Sequence, residues 1–406
     1  MKTTIYDTEL NDFSRKFLVK NPGVPDPSPI DFIAQAKNND AKLFESLLLF
    51  DTTSFKVHGE NIPLALLLNH FGVKNFEALL DQNAFDFILW NQMVTYMVDD
   101  IPGIEPLQSG ALNSPAHSDP EESIKLGFNW MKKQPRESDK RNIIRKVRDR
   151  YSLPDPSLAG NAVAISRSAF ESGKLKPYGL SPDYCSFRDL DKDSRKKLCS
   201  CAEDILQYSH LLKNNMSSYS SFEFYQLFNE SNKKIHEAAD LQGNFNELAE
   251  LENMPDLRSL YPKISKPFHQ IVKLRNKSSS KKFRTWLAEC SNSEDAMDIT
   301  KEYVDSIASA KGFFQTITGR ITKNVAMSAV GAGVGMLVAG PAGALGGAGV
   351  AKALEPAADI GLDMLDEFVL SGLTKGWTPK MFFEDVEKLE KSNKSKHSDS
   401  VNAAGV

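Results

Sequence analysis

The spacing of apolar positions changes between residues 62 and 98. Apolar side chains first recur at helical intervals, with Pro63 placed to open a helix, Gly72 to close it, and Asn75 to cap a second one running through Gln82. The period then drops to two. Phe85, Phe87 and Leu89 alternate with Ala84, Asp86 and Ile88, and Val94, Tyr96 and Val98 follow. That alternation predicts two short strands joined near Asn91-Gln92. Upstream, Asp31–Ala36 and Ala41–Leu49 are apolar and predicted helical, behind the Pro-rich loop NPGVPDPSP.

Helix, turn, helix and hairpin is the outline of a winged helix. The DNA-reading version needs basic or amide side chains on its second helix to meet phosphates and base edges. Here that helix reads NFEALLDQ, with Glu77 and Asp81 and neither Arg nor Lys. A packing or partner-binding module fits this composition better than DNA readout. A Pro/Ser/Gly stretch, residues 106–123, reads as a linker after a small α/β domain over 1–105. Asp119-Pro120-Glu121-Glu122 has the chemistry of a helix start: cap, proline in the first turn, then carboxylates at the positive end of the dipole. His117 beside those acids could belong to a metal or acid–base site, but a cap explains the acids without chemistry.

Residues 124–320 read as a helical domain, with helices over 123–133, 138–150, 161–173, 190–213, 221–239, 244–252, 265–289 and 294–318. There is no fixed-period repeat, and the tail 392–406 is polar. The fold class expected from these patterns is mainly α. It comprises a small α/β N-terminal part, a helical middle, and a C-terminal glycine-rich hairpin followed by amphipathic helices.

Composition narrows the functional classes. The 406 residues carry a net charge of -4, which gives no global pull toward nucleic acid or anionic lipid. Four cysteines, Cys185, Cys199, Cys201 and Cys290, are too few and scattered for a disulfide framework, so a reducing interior is expected. The N-terminal residues lack the apolar core of a signal peptide, and a cytoplasmic body is expected. Cys199-Ser-Cys201 with His210 lacks both the usual spacing and a second ligand pair for zinc. His236-Glu237 fails as a zinc-protease helix because Asp240 stands where the second histidine belongs. No catalytic residues, metal ligands or cofactor-binding residues are assigned from the sequence, and whether the chain is an enzyme is left open, leaning against.

Two segments are basic. Residues 263–284 hold eight Lys/Arg and no acid: Lys263, Lys266, Lys273, Arg275, Lys277, Lys281, Lys282 and Arg284. Residues 131–150 hold nine against three acids. Either could meet phosphates or lipid headgroups, or be the solvated face of a packed helix. A nucleic-acid partner is therefore possible without being favoured.

The most distinctive stretch is GAGVGMLVAGPAGALGGAG, residues 331–349, inside a charge-free run from Asn324 to Ala351. It cannot cradle phosphate as a P-loop, since no glycine in it precedes lysine. Nor does it match the dinucleotide fingerprint, because Met336, Val338 and Lys352 occupy the positions that need the third glycine. At every fourth position, however, stand Gly331, Gly335, Ala339, Gly343, Gly347 and Ala351. On a helix they form one stripe without bulk, which lets another helix approach closely. The segment resembles the glycine-zipper helical hairpins of bacterial membrane-associated proteins, with Gly340-Pro341 where such hairpins turn. What the resemblance implies is a transmembrane or peripheral segment, membrane lipid as a partner, self-association, and attachment of the cytoplasmic body to the inner membrane. The composition leaves open a buried hairpin in a soluble helical interaction protein, because residues 325–350 contain only two Leu and no aromatic. Amphipathic helices are expected over 355–391, Asp359, Asp363, Asp366 and Glu367 opposing Ile360, Leu365, Phe368 and Val369.

Overall fold

A computed structural model describes residues 3–20, 25–99, 101–183, 187–219, 241–250, 252, 254–290 and 378–389. It divides into two compact units, one of Thr3–Asn39 with Phe50–Ala239, the other of Asp40–Leu49 with the chain from Asp240 onward.

The first unit is built on a parallel sheet. Its strands are β1 (Thr4–Asp7), β2 (Thr52–Val57), β3 (Phe85–Leu89), β6 (Tyr151–Ser152) and β7 (Ser217–Ser218), in the order β6-β3-β2-β1-β7. Register sets Thr4 against Thr52, Thr53 against Phe85, and Phe87 against Tyr151. Between β1 and β2 run α1 (Glu9–Phe17) and the first half of α2 (Pro29–Leu49), and between β2 and β3 runs α3 (Ile62–Asp81). After β3, a two-stranded antiparallel ribbon of β4 (Gln92–Tyr96) and β5 (Leu107–Ala111) leads into α4 (Pro115–Ser118), α5 (Pro120–Phe128) and α6 (Glu137–Arg148). From β6, the helices α7 (Ser157–Glu171) and α8 (Lys192–Lys213) return the chain across the sheet to β7, beside β1.

The successive strands β1, β2, β3 and β6 step outward in one direction, and β7 lies on the other side of β1. A right-handed parallel crossover must change faces when the direction of travel reverses. The packing agrees. Tyr6, Ile88 and Trp90 are buried with Ala162, Phe170, Leu198, Ala202 and Leu206 of α7 and α8. On the opposite face Phe55, Phe85, Phe71 and Phe76 stack against one another, the last two from α3. The unit is thus a doubly wound α/β domain with helices on both faces.

This corrects the expectation of a mainly α chain with only a small α/β part at its N-terminus. β6 and β7 come from the stretch read as a helical domain, in the gaps between its expected helices. They are only two residues each, too short for any alternating pattern to register. The winged-helix hairpin is corrected too. Phe85–Leu89 and Gln92–Tyr96 are both strands, but the first joins the parallel sheet and the second pairs with β5. Fully buried parallel strands are near-continuous apolar runs, and FDFILW, residues 85–90, satisfies that pattern as well as it does one arm of a hairpin.

Local chemistry sets the helix starts. Asn61 Oδ1 accepts from Leu64 N at 2.9 Å to cap α3, and α3 breaks at Gly72, with φ 68° and ψ 161°. Asp119 and Asp191 cap α5 and α8 through Glu121 N and Ser194 N, each at 2.8 Å.

The second unit gathers the end of α2 with α9 (residues 241–250), α10 (Leu257–Leu260), α11 (Pro267–Asn276), α12 (Ser278–Cys290) and α13 (residues 380–389). Its core is aromatic: Phe283 stacks on Phe382 with centroids 4.2 Å apart, and Phe245 and Phe383 close the cluster. Glu45, fully buried, is held by Arg258 at 2.8 Å and by Gln242 at 2.9 Å. The single helix expected over 265–289 is two helices, broken where Lys277 adopts extended backbone.

Among the described residues no helix is long and apolar enough to cross a membrane. That corrects the membrane and transmembrane-helix expectation. Residues 324–351, on which it rested, and the amphipathic segment before residue 378 lie outside the described residues.

Candidate functional site

In an open parallel sheet, ligands bind outside the carboxyl ends of the strands, where the winding direction changes. Here that place is the carboxyl end of β1 and its neighbours, and it is crowded with ionisable groups. Asp7 ends β1, and its carboxylate accepts from Leu10 N at 3.0 Å to open α1. One turn into α1, Asn11 is buried and its Oδ1 accepts from His58 N at 3.2 Å, just past the end of β2. One turn further, the Arg15 guanidinium donates to the His58 carbonyl and pairs with Glu60 at 3.0 Å. The loop 58–61 is therefore clamped to α1 by side chains.

It is clamped from the other side by α5. Ser123 Oγ donates to the Gly59 carbonyl at 2.6 Å, and Asn61 N donates to the Ser123 carbonyl at 3.0 Å. Asn61 Nδ2 donates to the Tyr151 hydroxyl at 2.5 Å. Gly127 packs so closely that a Cβ there would stand 2.4 Å from the Asn61 carbonyl oxygen.

The clamped loop brings two histidines together. His58 Nδ1 and His117 Nε2 are 3.3 Å apart with their rings nearly perpendicular, and His117 Nδ1 lies 2.8 Å from Ser114 Oγ. Gly59, at φ 76°, makes room for the pair: a Cβ there would sit 3.0 Å from the His117 ring. Burial, then the neighbouring His117, Arg15 and Lys56, push the His58 imidazole down to about 4. Burial and Arg15 also lower His117, opposed by Glu60. Both rings are neutral at pH 7, so the pair is a set of one-proton relays. Either Ser114 donates to His117 and His117 to His58, or the whole chain of donors reverses.

Further ionisable groups lie on the other face of the sheet. Lys56, on β2, extends its ammonium to Gln207 Oε1 at 3.1 Å and over the Trp90 ring at 4.9 Å. Burial lowers its affinity for the proton, against the pull of Asp12, Glu203 and Asp204. Burial raises the Glu203 carboxyl, with Lys56 opposing. His210, pushed down to about 4 by burial and then by Lys213, sits between Tyr6 and Trp90. The Tyr6 hydroxyl and Arg15 Nε are buried without a hydrogen-bond partner among the described residues.

The sequence-derived sites lie elsewhere. Gly331, Gly335, Ala339, Gly343, Gly347 and Ala351 are outside the described residues. Of the basic residues in 263–284, Arg275 and Arg284 are buried, Arg275 donating to the Leu47 carbonyl. Lys277 pairs with Asp385 at 2.7 Å, while Lys263, Lys266, Lys273 and Lys281 are exposed and Lys282 half-buried. In 131–150, Lys140 pairs with Glu137, Lys146 with Asp81, and Arg150 with Asp86. Cys201 is buried and its thiol is pushed up to about 12 by that burial. Among the described residues no group of three or more His, Cys, Asp or Glu is arranged to hold a metal ion. Sequence reading missed the histidine pair because its members are 59 positions apart. The local signs were His117, weighed as an acid–base residue and set aside because a helix cap explains the acids beside it, and a histidine just after an alternating stretch, in FKVHGEN.

A doubly wound α/β fold with acid–base groups at the carboxyl ends of its central strands defines the structural class. No family model matches the chain, and no curated protein or solved structure matches it significantly.

Proposed function

We propose that the sheet domain is an enzyme that works by proton transfer on a small polar substrate, held at the carboxyl ends of β1 and β2. The observation that carries this reading is the continuous line Ser114 Oγ, His117, His58. Its two neutral imidazoles are built into a loop fixed from both sides. A general base must be unprotonated at working pH and within hydrogen-bond reach of the proton it takes. His117 meets both conditions. Perturbed titratable groups gathered at a strand-end crevice are the physical signature of such sites.

The test is ring-nitrogen NMR of the two histidines across pH 4 to 8. The expected result is that both imidazoles titrate below about 6.5 and that His117→Ala moves the His58 midpoint upward. Independent titration of the two at their ordinary values would remove the basis for the reading.

Self-association is a second reading, favoured by the four-residue spacing of Gly331, Gly335, Ala339, Gly343, Gly347 and Ala351. It predicts that a Gly331→Leu, Gly335→Leu, Gly343→Leu variant sediments as a smaller species than the parent chain. Equal sizes would discard it.

A further inference from the structure

Resting on the proton-transfer reading, we infer that Ser114 is a nucleophile, activated by His117 and backed by His58, that opens carboxylic esters through an acyl-serine. Three observations converge on it. Ser114 is exposed, yet its Oγ is 2.8 Å from an imidazole nitrogen, so it is both reachable and hydrogen-bonded to a base. The far nitrogen of that imidazole is met by His58, which supplies the third member that orients a base. Arg15 brings its guanidinium to the same spot. Its Nη2 lies 3.6 Å from where a Gly59 Cβ would be, the point His117 approaches to 3.0 Å, and the His58 carbonyl and Glu60 hold it there.

A serine one turn before a histidine can also be an ordinary cap on a short helix. A cap needs neither a second histidine behind the first nor a glycine that opens space for the ring. The Ser114 side chain in fact caps no backbone N–H of α4.

The chemistry balances with water as the only co-reactant. Ser114 Oγ bonds to the ester carbonyl carbon, and its proton passes to His117 Nδ1. His58 Nδ1 accepts a hydrogen bond from His117 Nε2–H and holds the ring in that tautomer. The positive charge of Arg15, beside the histidine pair, favours the oxygen that gains charge. The carbon–alkoxy bond then breaks, and the departing alcohol takes the proton from His117. Water repeats the steps in reverse order and releases the carboxylic acid. Ser114 and His117 are catalytic residues in this scheme, and His58 is a positioning residue.

The test treats the full chain with a fluorophosphonate and maps the adduct by peptide mass. The reagent bonds to an activated serine oxygen and expels fluoride, which leaves with the displaced proton. The expected result is one adduct on Ser114, absent in Ser114→Ala and retained in Ser118→Ala. His117→Ala should slow its formation by about 100-fold, the scale of a lost general base. His58→Ala should keep the adduct on Ser114 but shift the pH at which labelling is half-maximal, a change that a purely structural role would not produce. The facing charges Arg15, Lys56 and Glu60 are unchanged in that variant. No adduct, an adduct elsewhere, or a rate indifferent to His117 overturns the inference. NMR of the histidine rings separates two kinds of failure. If the pair still titrates as a coupled unit without labelling, only the nucleophile is wrong. Uncoupled titration overturns the proton-transfer reading as well.

Discussion

Replacing Asn61 by alanine tests the loop that carries His58. The Asn61 side chain makes two bonds from a fully buried position: Oδ1 accepts from Leu64 N at 2.9 Å, and Nδ2 donates to the Tyr151 hydroxyl at 2.5 Å. Loss of a side-chain cap costs about 1 kcal/mol. Loss of a buried neutral hydrogen bond costs about 1 kcal/mol more. Tyr151 is not left wholly orphaned, because Ser123 Oγ remains 3.2 Å from its oxygen, which holds the second figure at the low end. The sum is about 2 kcal/mol, worth roughly 4–8 °C in the midpoint of a domain of this size. A double-mutant cycle with Tyr151→Phe isolates the amide–phenol bond, whose coupling should be about 1 kcal/mol. Urea unfolding followed by circular dichroism supplies all four stabilities, provided the transition of the sheet unit is resolved from that of the second unit. An Asn61→Ala cost under about 0.5 kcal/mol or a coupling indistinguishable from zero would refute the reasoning, since both numbers come directly from the two bonds.

Other variants test other parts of the molecule. Gly127→Ala forces a methyl to 2.4 Å from the Asn61 carbonyl oxygen, backbone that cannot swing aside, and should cost about 2–3 kcal/mol by overpacking; a neutral result in thermal unfolding would mean that α5 moves freely. His58 and His210, both held at about 4, bind protons in the unfolded chain from about 6.5 downward. The unfolded state therefore holds more protons between those values. Stability is complete above about 6.5 and is lost as pH falls toward 4. His210→Asn should flatten that slope in urea midpoints taken at several pH values, and an unchanged slope would contradict the assignment. Arg275→Met leaves the buried Leu47 carbonyl without its donor and should cost about 1–3 kcal/mol. Lys273→Glu and Lys281→Glu, at exposed positions, should stay within about 0.5 kcal/mol of the parent in the same denaturation assay. Glu45→Ala removes the buried carboxylate that Arg258 pairs with; the Arg258 side chain is 31% exposed, so the loss should be about 2 kcal/mol, below the 3–5 kcal/mol of a fully buried pair.

The parts of the fold that were legible are those whose information is local. Asp119 with two acids behind it, Pro63 after Asn61, and Gly72 within an apolar run are each decided by neighbours within a turn, and the structure places a cap or a break at each. Strand partnership is not local. The run 84–98 specifies two extended segments, but nothing within it says that Phe87 pairs with Phe55 in parallel while Val94 pairs with Ser109. That choice follows from burial on both faces. Phe85, Phe87, Ile88 and Leu89 are all fully buried, as a central parallel strand requires and as a wing exposed on one side does not. The short edge strands β6 and β7 were beyond reach for the same reason, because two residues carry no period. The site inherits the difficulty. His58 is placed by the end of β2, and His117 by the single-turn helix α4, three residues after Ser114. Arg15 lies on a helix that follows a different strand, so no spacing in the chain announces their meeting. Charge clustering is a different case. Eight cations in 22 residues look like one basic surface, yet a helical run turns about 100° per residue. Two of the eight arginines and lysines face inward and a third is paired with Asp385. A patch of cations in sequence is a patch in space only when the helix faces allow it. A site at strand ends exists in space without being a patch in sequence at all.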